Sequence, residues 1–345
     1  MHLSYIHRMR AIAIVAIVCV HALDQLEWGH NRGEYRFLAN LLQGSTVLFF
    51  MIAGFLFHHL SKRFDYRDYL QRKLKHVMLP FVVISAPGIA ALVSRAQFVQ
   101  AHPEMAGTPI WQQVLFLLFY AGSQPNYPLW FVPVMATLFL MAPLFMALLA
   151  RPRWFAGLLW VLIAYSLLSH RADVDKYHHL ELTAYYVSPY MLGMWASMHR
   201  DAVNAWVDKY LIGLVLAYLA LLLGFTWLTP HEGAYVHHAF SQEKGLIDWV
   251  LMQKLVLFFV LVGLLRKLEK LELPKLEYLG DVSFPIFFLH MYVLLAFYHA
   301  LHWQIPEGNA LMVLATALVA IAGSIAIVVG CRLTLRRHSR LFIGA

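Results

Sequence analysis

The chain has 345 residues, 61% of them hydrophobic and 13% charged, with a mean hydropathy of +0.62 and a formal net charge of +8. Soluble domains carry about 25% charged residues, so this composition excludes a water-soluble globular protein and predicts an integral membrane protein. Cys19 and Cys331 lie in apolar runs near opposite ends of the chain, so no disulfide framework is implied.

Apolar stretches of nearly the length needed to cross about 30 Å of hydrocarbon recur along the whole chain. Helices are predicted at 8–27, 38–60, 77–95, 128–150, 154–169, 183–199, 207–228, 248–266, 281–302 and 309–331. Residues 111–122, WQQVLFLLFYAG, are too short to span and are expected to form a partial helix at the interface or dipping into the bilayer. The expected fold is an all-α integral membrane protein of about ten transmembrane helices, one membrane-embedded domain over 1–345. No internal repeat is visible, and the longest loops, about 95–127 and 229–247, are long enough to suggest a functional role.

Lysine and arginine accumulate on the cytoplasmic side of membrane proteins. With the N-terminus inside, 20 of the 27 fall on inner segments and six on outer ones, while Lys254 lies within the eighth span. Both termini are therefore expected to be cytoplasmic. Anchoring at that face of the bilayer accounts for the net charge, and no nucleic-acid partner need be invoked. Residues 1–22, with a basic start and a Val20-His21-Ala22 triplet, also resemble a cleavable signal peptide, but helical character continues through Leu26.

The first span, RAIAIVAIVCVH, holds Arg10 and His21 eleven residues apart. At about 100° per residue this is three turns plus about 20°, so the two side chains share one face, about 16 Å apart along the axis. If His21 were charged, a neutral Leu in its place would be cheaper by up to about 2–3 kcal/mol, which marks His21 as a functional candidate. The competing reading is a core histidine satisfied by a neighbouring helix. The pairs His58-His59, His178-His179 and His237-His238 do not suggest a metal site, because adjacent residues point to different sides and no i,i+4 His/Glu set accompanies them.

Further patterns follow in order: VLFFMIAGFLF in the second span, Arg72-Lys73-Leu74-Lys75 before a Pro-containing span, Pro128-Leu129-Trp130-Phe131 opening the fourth, and FPIFFLHMYVL in the ninth. Together with the first span, the set resembles the acyltransferase 3 family of bacterial membrane O-acyltransferases over nearly the full length, in particular the stand-alone enzymes that acetylate surface or exported polysaccharides. Two departures stand out. Ala53 occupies a position where the family often has Ser, so no nucleophile is available there. Lys75 replaces the second of two arginines, putting a point charge where a planar fork is usual.

The resemblance implies transfer of an acyl group, most simply acetyl, from cytoplasmic acyl-CoA to a hydroxyl of a lipid-linked or exported glycan. It implies an inner-membrane location, acetyl-CoA or another acyl-CoA as donor substrate with no permanently bound cofactor, and a polysaccharide-synthesis complex as a possible partner. His21 becomes the base or acyl acceptor, since neutral imidazole serves either role near pH 7. Asp24, three residues on, would orient it. Arg10, Arg72 and Lys75 would grip the phosphates of coenzyme A. Trp130 and His290 are candidates for the acceptor path, the competing readings being an interfacial belt tryptophan and a histidine that hydrogen-bonds in helix packing. A transporter or exporter of a polysaccharide intermediate, or a non-catalytic scaffold, are the alternatives from other classes.

Overall fold

The structure, a computed structural model, describes residues 3–93, 98, 102–119, 127–173, 179–237, 239–300 and 307–344. The chain opens with α1 (Ser4–Leu23), α2 (Arg32–Leu42) and α3 (Thr46–Leu60). Next, α4 (Tyr66–Lys73) runs through a π-helical turn, Leu74–Met78, into α5 (Leu79–Val93), and a short apolar α6 (Ile110–Phe119) follows. α7 (Phe131–Leu140), α8 (Ala142–Leu149), α9 (Pro152–Ser169), α10 (His179–Met198), α11 (Arg200–Leu228) and α12 (Trp249–Lys267) form the middle of the chain. α13 (Pro274–Asp281), α14 (Ser283–Ala300), α15 (Ala310–Leu335) and α16 (Ser339–Ile343) complete it. Among the described residues the only sheet is the parallel pair β1 (Arg171–Ala172) and β2 (Tyr235–Val236), with Arg171 opposite Tyr235.

By length and composition, seven helical segments among the described residues can cross a bilayer, and up to nine if the bent pairs α7–α8 (52°) and α13–α14 (76°) each count as one. The sequence led to an expectation of ten. The difference is α10, as long as α1 but carrying Thr183, Tyr185, Tyr186, Ser188, Pro189 and Tyr190, all buried. By length and composition α10 is a buried helix and is not among the seven to nine candidate spans.

Other expected boundaries also shift. The predicted helix 38–60 is broken at Gln43-Gly44-Ser45, the helix expected from 77 begins at Tyr66, and that expected over 281–302 is preceded by the bent α13. The bend at Met141 is followed by Pro143 in the first turn of α8, where the missing N–H costs nothing. The described part of the segment expected over 111–122 is α6, whose ten residues reach about 15 Å, too short to span, while 120–122 lie outside the described residues.

The break between α2 and α3 is built by residues far away in sequence. Gly44 has φ +76°, and a Cβ there would lie 2.8 Å from Val250 Cγ1. Lys254, fully buried on α12, donates from Nζ to the Leu41 carbonyl at 2.6 Å and to Gln253 Oε1 at 2.9 Å. It thereby caps a carbonyl that the break leaves without a helical partner.

α1 lies at the centre, packed against α2, α3, α12, α13, α14 and α15. Near its start, Arg8 is almost wholly buried and fully engaged. It donates to the Leu268 carbonyl (2.6 Å), the Leu271 carbonyl (2.7 Å) and Glu277 Oε1 (2.7 Å), clamping the α12–α13 connection. The most extensive helix pair is α3 with α10, and two glycines set its closeness. A Cβ on Gly54 would collide with the Tyr190 carbonyl oxygen, and one on Gly193 with that of Met51, so each backbone rests in the other's gap. The glycine in the second-span motif thus has a packing role.

Candidate active site

His21 stands in the last turn of α1, buried, on the wall of a cavity of about 200 Å3. α1 also contributes Asp24, and the α2–α3 break contributes Gly44, Ser45 and Thr46. Trp130 enters from the 3-10 turn before α7. Arg171, Asp173 and Tyr235 come from the two short strands and the residue after the first. His21 Nδ1 lies 3.9 Å from Asp24 Oδ2, an ion-pair separation longer than a hydrogen bond.

The His290 ring packs against that of His21, with centroids 5.2 Å apart and planes 31° apart. His290 is fully buried, and its Nδ1 donates to the Ile286 carbonyl at 3.0 Å. That bond leaves Nε2 as the lone-pair nitrogen, and Nε2 has no hydrogen-bond partner among the described residues. His290, from the far end of the chain, therefore backs the cavity-lining His21 ring.

Arg171 is 3% exposed, with its guanidinium over the Trp130 ring (4.6 Å to the centroid) and the Tyr235 ring (4.1 Å). Trp130 continues into a stack with Tyr186 (5.3 Å), which stacks on Phe50 (4.2 Å). The strand pairing fixes Arg171 against Tyr235, and the Tyr235 loop is itself held from α2. Asn40 Oδ1 accepts from the Gly233 amide and Gln43 Oε1 from the Ala234 amide, both at 2.8 Å. Lys244 Nζ adds bonds to the Glu232 and Gly233 carbonyls. From loop 229–247, expected to be functional, Tyr235 lines the cavity. Most of the other long loop, 95–127, falls outside the described residues or on the exposed α6.

Burial pushes the Tyr235 phenol up to about 12, which keeps its proton on and available to donate. Burial likewise raises the Asp248 carboxyl, although that side chain caps α12 at the Leu251 amide (2.8 Å) and accepts from Tyr185 Oη (2.8 Å). His170, just before Arg171, has φ 59° and ψ 170°, a region open essentially to glycine alone and costing about 1–3 kcal/mol. Beside Asp24 a second, wider concavity of about 500 Å3 opens, lined by Glu27, Trp28, Arg32 and Tyr35 among others.

Arg10 stands at the other end of the same unbroken helix, about 16 Å away along its axis. It interacts electrostatically with Asp281 and with Lys73, whose Nζ sits over the Tyr69 ring (5.3 Å) and the Phe139 ring (4.8 Å). Arg72 and Lys75 are exposed. Of the residues singled out in the sequence, His21, Asp24, Trp130 and His290 come together, and Arg10 is joined by Lys73.

Arg171, Asp173, Tyr235 and Lys73 had not been singled out. Arg171 carried one available signal, as an arginine on an expected outer segment where such residues are few. Lys73 carried another, lying four residues after Tyr69. The histidine pairs resolve into separate roles: His58 bonds Ser197 (2.9 Å), His179 bonds Thr137 (3.0 Å) and His237 pairs with Glu243 (2.8 Å). His178 and His238 lie outside the described residues.

Residues 3–329 match the family model described as "Acyltransferase domain", Acyl_transf_3. The chain belongs to the acyltransferase 3 family. No curated protein and no solved structure matches it. Membership makes it a multi-pass membrane protein of an acyltransferase family, and the match covers both ends of α1, the cavity and the α3–α10 crossing. In this acyltransferase 3 chain, the second-span motif supplies the crossing glycine, with half-buried Ala53 beside it.

Proposed function

We propose that the protein is an inner-membrane O-acyltransferase moving an acyl group, most simply acetyl, from cytoplasmic acyl-CoA to a hydroxyl of a lipid-linked or exported glycan. His21 takes the proton of the attacking hydroxyl. The hydroxyl oxygen bonds to the thioester carbon, the carbon–sulfur bond breaks, and the departing thiolate receives the proton from the imidazolium, which regenerates neutral His21. Asp24 stabilises the imidazolium while it exists. Arg10 and Lys73, with Arg72 and Lys75 at the rim, hold the donor's phosphates. His290 and Trp130 border the acceptor's position.

The observation that carries this reading is that Arg10 and His21 stand at opposite ends of one rigid helix, the second inside an aromatic-walled cavity. Their separation of about 16 Å is on the order of a pantetheine arm. In this reading α10 is the tenth span and both termini are cytoplasmic.

The test uses purified protein in nanodiscs, acetyl-CoA, and lipid-linked glycan from the producing cell. Acceptor-dependent release of coenzyme A thiol is expected, and its absence with acetyl-, succinyl- and longer acyl-CoA alike would remove the reading. A reporter fused after Ala345 should be active only in its cytoplasmic form; activity only outside would remove the ten-span orientation.

A further inference from the structure

We propose that Arg171 is a catalytic residue that stabilises the negative charge developing on the thioester carbonyl oxygen, acting across the cavity from His21. The inference rests on the acyl-transfer reading and adds to it the electrophilic half of the site. Attack by a hydroxyl on a thioester moves the carbonyl π pair onto oxygen while a new carbon–oxygen bond forms. That oxygen needs fixed donors, and a preorganised donor in a water-poor site contributes more than one in solvent. The charge returns to re-form the carbonyl when the carbon–sulfur bond breaks, so Arg171 itself neither gains nor loses a proton.

Four observations point to Arg171. It lines the same cavity as His21 and is 3% exposed. Its Nε makes no hydrogen bond, although a buried donor left unpaired is costly. Its guanidinium lies over the Trp130 and Tyr235 rings, and Asp173, two residues on, acts on it electrostatically, so a fixed positive charge faces the cavity. The strained backbone of His170 immediately before it is the kind of outlier that clusters at working sites.

Gly44 and Ser45 of the break and Thr46, the first residue of α3, line the cavity too and bring the positive end of the α3 dipole to it. Asp24 and Asp173 line it as well, which disfavours a permanently anionic acceptor group there. A neutral carbonyl that becomes negative only in the transition state fits this balance of charges.

The experiment compares wild type with Arg171→Gln, Arg171→Lys and Arg171→Ala under the conditions that give wild-type transfer. Arg171→Gln is expected to lower turnover about 10²- to 10³-fold. Donor Kd, measured by calorimetry, and acceptor KM should stay within about threefold. Arg171→Lys should recover part of the loss, and millimolar guanidinium should restore turnover to Arg171→Ala. Thermal melting reports folding, and if Arg171→Gln does not fold, the turnover and KM of Arg171→Lys carry the test.

A raised acceptor KM with unchanged turnover would make Arg171 a glycan anchor and overturn the proposal. So would wild-type turnover in Arg171→Gln. An inactive wild type removes the acyl-transfer reading and this one together, whereas an active wild type with unaffected variants removes this one alone.

Discussion

At its His21 end, α1 is enclosed by segments from widely separated parts of the sequence, whereas at its Arg10 end the same helix meets basic side chains that extend to the exposed Arg72 and Lys75. The first environment is small, aromatic and rigid. The second is charged and partly open. A transfer reaction uses both, since the reacting atoms need protection from water while a large charged donor must enter and leave. Two arginines one turn apart or less sharpen the contrast: Arg8 has its charge consumed by Glu277 and two carbonyls, whereas Arg10 faces another cation as well as Asp281.

The largest expected effect tests the closed end. His21→Ala should lower acyl transfer about 10³-fold in a thiol-release assay while acetyl-CoA affinity stays unchanged; transfer at the wild-type rate would dissolve the distinction between the two ends. Arg8→Ala should instead cost about 1–2 kcal/mol of stability, read as a lower melting temperature, because it removes the hydrogen bonds that clamp two carbonyls and the half-exposed Glu277. A protein that melts normally without Arg8 would show that the clamp is dispensable.

A smaller effect is expected at the open end. Arg10→Gln and Lys73→Gln should each weaken acetyl-CoA binding about 10- to 100-fold by calorimetry, the loss expected for a charge-assisted contact, and added salt should narrow the gap. Unaltered affinity in both would leave these residues as membrane-face anchors. The smallest effect belongs to the exposed pair. Arg72→Gln with Lys75→Gln should raise the donor KM about threefold or less at physiological salt, and a loss equal to that of Lys73→Gln would reverse their ranking.

What was legible in the sequence was local. An uninterrupted apolar run bounded by Arg10 and His21 states its own geometry, because an α-helix needs no distant residue to set its pitch. The cavity was not legible, since its walls depend on contacts made across the fold. Lys254 stabilises the break that presents Gly44 to Thr46, Asn40 and Gln43 hold the Tyr235 loop, and a two-residue strand pairing sets Arg171 beside its aromatic partners. No periodicity in the sequence encodes any of these. Lys73 was obscured for a related reason: its basic neighbours share its composition, and beyond the i,i+4 spacing from Tyr69 it is the contact with Phe139, from a distant helix, that sets it apart.

The glycine crossing of α3 and α10 bears on how the chain enters the bilayer during synthesis. In the ten-span reading, a segment as polar as α10 would gain little from lipid, and its partition out of the insertion machinery would depend on a docking site made earlier by α3. Gly54 would keep that site open for Gly193, more than a hundred residues later. Gly193→Leu should therefore reduce the amount of correctly inserted protein, measured by protease protection in membranes, before catalysis is reached at all. Biogenesis and packing are in this sense one constraint, imposed by two missing side chains.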